Sequence, residues 1–161
     1  MDFDRDIKNQ IVQDSTLIQD TVKKIVSPIT DVLDNLISYI NQMIKADTIL
    51  TEEMLMKLML QLNTTLYSVI DVATGVDIKQ EIASMKQKSE YALARKSASG
   101  TVAEKDNEAW LATQNINVLK LMYKEANTVI KQKIERASDL QLSLKKILTY
   151  RIEQGGKKNE P

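Results

Sequence analysis

The sequence predicts an all-α protein built on a long antiparallel helical hairpin. Three observations predict it. Apolar residues recur at spacings of three and four along most of the 161 residues, which marks one face of a helix. Four Gly and two Pro are too few for a turn-rich β protein. Between Thr101 and Gln154 neither residue occurs, and ~50 helical residues rising 1.5 Å each would reach roughly 75 Å. A helix of that length must project from its domain or be covered by other helices or subunits.

The first element runs from about Phe3 to Val26, with Ile7, Ile11, Ile18, Val22 and Ile25 on one stripe. Ser27-Pro28 interrupts it. Ser suits an N-cap, Pro the first helical position, and Asp31 the first turn, so a second helix is expected here, ending near Lys45. The phase survives the break: Ile25, Val32 and Tyr39 continue one row, and Ile29, Leu36 and Met43 another. The two helices are therefore expected to meet at a kink. Asp47 or Thr51 caps a third helix from about Glu52 to Ala73. Its run Met54-Leu55-Met56-Lys57-Leu58-Met59-Leu60 is apolar on nearly every side, which implies burial all round, in the core or at a partner surface.

Gly75 reads as a C′ residue and Asp77 as the next cap. A fourth helix follows over about 78–99, opening with Ile78, Ile82 and Met85 and turning small and basic beyond Glu90. Gly100 ends it. Thr101-Val102-Ala103-Glu104 is a capping box that starts a fifth helix over about 102–154. Its stripe is Ala109, Ala112, Ile116, Leu119, Tyr123, Ala126, Ile130, Ala137, Leu140, Leu144 and Ile147. Only Lys133 breaks the alternation of three and four. Ala92, Ala98, Ala103 and Ala109 let the two limbs of the hairpin approach closely. The expected organisation is one domain: three N-terminal helices over 1–75 as a packing or partner region, the hairpin over 76–154, and a flexible basic tail over 155–161.

Cys and His are both absent. This removes disulfides, thiol nucleophiles, imidazole bases and the commonest soft metal ligands. Ser84-Met85-Lys86-Gln87 and Ser143-Leu144-Lys145-Lys146 read as ordinary amphipathic helix, so no catalytic residue is assigned and an enzyme is not expected. Asp2, Asp4 and Asp6 suit a solvated terminus, Asp31 and Asp34 a polar face, and Glu52-Glu53 a first helical turn. No metal site or cofactor is expected. Gly155-Gly156-Lys157-Lys158 ends a helix, whereas a phosphate cradle starts one. The N-terminus is too acidic for a signal peptide, and no apolar run approaches the ~18 residues of a membrane span. A cytoplasmic protein without membrane contact is expected.

Net charge is zero, yet residues 1–78 carry 12 acids and 6 bases while residues 79–161 carry 10 and 16. Such asymmetry suggests an anionic partner for the basic half, or two halves that complement each other. Candidate phosphate contacts near the expected hairpin tip are Lys86, Lys88, Arg95, Lys96 and Lys105. Candidate base-stacking residues are Tyr91 and Trp110, with Tyr123 and Tyr150 further along. The plainer explanations are a solvated Lys/Glu face and, for Tyr123 and Trp110, a place in the core.

The stretch Tyr91-Ala92-Leu93-Ala94-Arg95-Lys96-Ser97-Ala98-Ser99-Gly100-Thr101-Val102-Ala103-Glu104-Lys105, followed by Ile147-Leu148-Thr149-Tyr150-Arg151-Ile152-Glu153-Gln154-Gly155-Gly156-Lys157, resembles phage recombination mediators of the UvsY type. The resemblance covers about 80–157, and Arg95-Lys96 is the nearest counterpart of the family's basic element before the turn. It implies an all-helical homo-oligomer that binds single-stranded DNA without sequence preference. Such a protein helps load a RecA-like recombinase onto strands coated by a single-strand-binding protein, in the host cytoplasm if phage-encoded. On this reading Ile130, Ala137, Leu140, Leu144 and Ile147 drive oligomerisation. The alternative is a helical structural or interaction protein of a phage, acting in assembly, scaffolding or inhibition of a host defence protein, without nucleic acid.

Overall fold

A computed structural model describes the backbone of residues 3–46 and 50–157 and the side chains of 15–46 and 50–154. The described residues form four helices and no strand: α1 (Phe3–Lys45), α2 (Glu52–Ser97), α3 (Val102–Ala112) and α4 (Gln114–Lys157). No helix among them is long and apolar enough to cross a membrane. The chain divides into two compact units, residues 1–26 with 74–128 and residues 27–73 with 129–161.

The three N-terminal helices expected from the sequence are not found. α1 runs unbroken through Ser27 and Pro28. Proline inside a helix removes one hydrogen bond and crowds the preceding turn, at a cost of about 3 kcal/mol. Pro28 lies on the exposed side, while Val26, Thr30 and Leu33 lie buried on the other. The apolar phase that survives the proline lets the residues on both sides of it pack, and packing outweighs the local penalty. α2 likewise runs through Gly75. Gly75 lacks the positive φ of a C′ residue, which among the glycines of the described residues Gly100 alone adopts. Val69 and Val76, seven residues apart, are both buried, so the helical phase is kept across it. The start of α2 is the one expected behind Thr51: Thr51 Oγ1 accepts from Met54 N at 3.2 Å, as an N-cap should.

The first unit (1–26, 74–128) has a core of small and medium side chains: Val22, Val26, Val76, Ala83, Ala98, Ala109, Met122 and Ala126. Ile7 and Ile11 lie outside the described side chains. The expected fifth helix is interrupted once, at Thr113, where α3 ends and α4 begins. Thr113 is fully buried and turns its hydroxyl back onto the carbonyls of Ala109 (3.1 Å) and Trp110 (3.2 Å). Such back-bonding satisfies the hydroxyl and bends helices. Thr113, four residues after Ala109, takes the inward place expected of Ala112. Ala112 and Leu119 are exposed, and Met122 is buried instead.

The second unit (27–73, 129–161) holds the larger core. Leu33 and Ile40 from α1, Leu55 and Leu62 from α2, and Ile130 and Leu144 from α4 are all 0% exposed. The Met-rich run is not buried on every side: Leu55 and Leu58 are inside, but Met56 is 60% and Leu60 67% exposed. α4 continues through Gly155 and Gly156 to Lys157. The tail expected from Gly155 therefore begins no earlier than residue 158, and 158–161 lie outside the described residues.

Polar pairs fix the register in each unit. Asn127, buried, donates to Gln80 Oε1 at 2.8 Å in the first unit. In the second, Gln141 donates to Asn63 Oδ1 at 2.8 Å. Lys133, the residue that breaks the α4 stripe, is paired with Asp34 and donates to buried Thr30 Oγ1 at 2.8 Å. The Lys133 and Asp34 side chains keep 25% and 41% of their exposure. Removing the carboxylate strands a half-buried cation, so Asp34→Ala is expected to cost about 1–2 kcal/mol, less than a fully buried pair would. Lys133→Leu restores the apolar alternation and is expected to be neutral or stabilising by ~1 kcal/mol. Urea denaturation of the two variants checks this; equal losses from both would contradict it.

Candidate functional site

Gly100 makes the turn between α2 and α3 at φ 110°, a region L side chains avoid. A Cβ there would also meet Glu104 Oε2 at 2.5 Å. Glu104 is held in place by the capping box: its carboxylate accepts from Thr101 N at 2.7 Å and from Thr101 Oγ1 at 2.9 Å. The backbone N–H, then the hydroxyl, stabilise the charged form and hold the Glu104 pKa below its ordinary 4.5. A depressed carboxylate pKa supports folding above the unfolded value and loses that support as pH falls through the folded one. The turn is therefore fastened at neutral pH and loosens in acid.

Asp106 ties the two sides of the turn together. Its Oδ1 accepts from Arg95 Nε at 2.5 Å and from the Tyr91 hydroxyl at 3.2 Å. Partial burial, then the hydrogen bond to Asp106 and its charge, raise the Tyr91 pKa above 10.0, while Arg95 opposes them. Nothing in the sequence singled out Asp106. A signal was available in retrospect: it is the acid that follows the turn at nearly the distance by which Arg95 precedes it.

The candidate cations do not all share one face: Lys88, Arg95 and Lys96 fall within about 100° of one another on α2, and Lys86 lies outside that sector. At 100° per residue, Lys86 and Lys88 stand about 200° apart on α2, and Arg95 falls behind Lys88 rather than Lys86. Lys86 pairs with Glu90 at 3.7 Å, a surface contact worth little. Arg95 is taken by Asp106. Lys88 and Lys96 are exposed, and Lys105 is half-buried. Of the aromatics, Tyr91 and Tyr123 are half-buried, whereas Trp110 is 52% exposed.

The charge asymmetry along the sequence is also undone by folding. Each unit combines acidic N-terminal with basic C-terminal segments: the first has 12 acids and 12 bases, the second 10 and 10. The residues expected to join subunits are mostly core. Ile130, Ala137 and Leu144 are 0% exposed within the chain's own second unit, and Leu140 and Ile147 are half-buried. Folding of the single chain covers this part of the stripe fully at Ile130, Ala137 and Leu144 and in part at Leu140 and Ile147.

Apolar surface is left elsewhere in the second unit. Val32 (68% exposed), Leu36, Leu60 and Thr64 line a furrow of about 440 Å³ between α1 and α2. Tyr39, Met43, Met54 and Lys57 line another of about 380 Å³. No family model, curated protein or solved structure matches this chain.

Proposed function

We propose that this chain is a non-enzymatic helical accessory protein that binds single-stranded DNA without reading sequence, in the mediator role implied by its resemblance to UvsY-type proteins. The observation that carries the reading is Trp110: a large aromatic ring, half exposed, on the solvent side of the last turn of α3. Exposed aromatic rings beside cations are the stacking platforms of single-strand binders. The pairs Tyr91–Asp106 and Gln80–Asn127 are what an antiparallel hairpin over 78–99 and 102–154 would make. In that register Trp110 comes level with the turn of α2 that carries Lys86 and Lys88. Lys88 and Lys96 then supply phosphate contacts. Arg95 has the lesser part, because Asp106 already neutralises it.

Trp110 is the only tryptophan, so its fluorescence reports the site directly. Titration with oligo(dT) is expected to quench it, and Trp110→Ala to weaken binding about 5- to 100-fold, the range of one lost stacking contact. Emission unchanged at saturating oligonucleotide would contradict the placement. A recombinase or a single-strand-binding protein is the protein partner this role implies, in the cytoplasm.

A second reading, a helical interaction protein without nucleic acid, is favoured by a different observation. Val32, Met56, Leu60 and Tyr67 are each 60% exposed or more on one unit, and exposed apolar surface of that kind marks protein contacts. The same surface, rather than the α4 stripe, would join subunits in an oligomeric mediator.

A further inference from the structure

We infer that the outward face of α4 around Lys145, Lys146 and Tyr150 is a second contact for the single strand, an inference that rests on the single-strand reading and enlarges its site. Three features converge there. Positive charge exceeds negative in this part of the chain: among the described side chains of 142–154, Lys145, Lys146 and Arg151 stand against one acid, Glu153. Helical spacing brings Leu142, Lys145, Lys146, Thr149, Tyr150 and Glu153 together, and they line a depression of about 340 Å³. Lys145 and Lys146, about 100° apart, lie on one side of their helix.

The apolar part of the face is open. Leu142 is 57% and Tyr150 62% exposed, while Leu144 on the opposite side is fully buried. The inward face anchors the helix, so folding makes no use of the outward one. Gln154 Nε2 donates to the Tyr150 hydroxyl at 2.6 Å and steadies the phenol against the helix. A steadied ring loses less freedom when a base stacks on it.

These groups suit a single strand better than a duplex. Two ammonium groups neutralise neighbouring phosphates and release their counterions. A phenol ring offers a stacking surface that only unstacked bases can use, and any base will serve. Glu153 repels a phosphate at the far end of the depression and can accept from a base amino group. The strand is thereby directed with phosphates at the lysines and a base at the tyrosine.

The test uses the full chain and fluorescein-labelled oligo(dT), followed by anisotropy, with Trp110 emission read in parallel. Lys145→Glu/Lys146→Glu is expected to weaken binding by about tenfold or more and to reduce the salt slope by roughly 1.4, about 0.7 per phosphate contact. Tyr150→Ala is expected to weaken it about 5- to 100-fold. Lys145→Gln/Lys146→Gln removes the cations without adding negative charge and is expected to act in the same direction. Circular dichroism should match the parent throughout, since all three positions are exposed. Parent-like affinity in these variants, with Trp110 quenching intact, would overturn the α4 contact and leave the wider reading standing. No anisotropy change with the parent protein would overturn both. An anisotropy rise lost in the lysine variants, with Trp110 silent throughout, would support α4 while removing Trp110. Equal competition by a duplex of the same length would overturn the stacking role of Tyr150.

Discussion

Leu144→Ala is expected to lower the free energy of unfolding by about 3 kcal/mol, within the 2–5 kcal/mol found for buried leucines. Leu144 is 0% exposed and belongs to the core of the second unit with Leu33, Ile40, Leu55, Leu62 and Ile130. Truncation removes its apolar burial and leaves a cavity that rigid helices cannot close. The test also decides what the α4 stripe is for. If Leu144 packs inside one chain, the loss is independent of protein concentration. If it packed against a second subunit, the midpoint would rise with concentration in the parent and respond less in the variant. Urea unfolding at two concentrations tenfold apart separates the cases, and the intrachain core predicts coincident curves.

Pro28→Ala is expected to stabilise the protein by about 2 kcal/mol. Proline inside a helix is less favourable than alanine by about 3 kcal/mol. Part of that is offset because proline also restricts the unfolded chain, by roughly 0.4–1 kcal/mol. Pro28 is exposed, so alanine opens no cavity in the core. The expected gain comes from restoring the backbone hydrogen bond at residue 28 and relieving the crowding against the preceding turn. Thermal unfolding of the single variant checks it. A loss of stability would mean that α1 depends on the bend a proline imposes.

These two positions show what could be read from the sequence. The apolar stripes, the capping box at Thr101, the turn at Gly100 and the start of α2 behind Thr51 are local patterns, and all four were legible. Pro28 and Gly75 are local signals as well, but packing overrides them. The rows on either side of Pro28 stay in phase, and both flanks of Gly75 have a buried valine. Thr113 interrupts the helix through a hydroxyl bond to its own backbone, which competes with a helical pattern that reads as uninterrupted. Lys133 was visible as an exception in the stripe, but its partners Thr30 and Asp34 lie about a hundred residues away and only folding brings them near. For the same reason Arg95 looked available in the sequence, whereas Asp106 occupies it in the fold. The α4 face was legible only as scattered Lys and Tyr letters until the helix direction assigned them to one side.

As proposed strand contacts, the Lys145–Lys146–Tyr150 face and Trp110 make the same demand on their ligand. Both need a strand whose phosphates are open to lysine and whose bases are free to stack. Neither recognises a particular base, so affinity should depend on salt far more than on sequence.

The most direct test is a salt titration of oligo(dT) binding by anisotropy. Micromolar or tighter binding is expected at low salt, falling linearly on logarithmic axes with a slope of about −0.7 for each phosphate engaged, with similar affinities for oligo(dT) and a mixed sequence of the same length. Absence of binding at low salt, while light scattering shows a stable oligomer, would contradict the single-strand reading and leave the apolar furrow between α1 and α2 as the working surface.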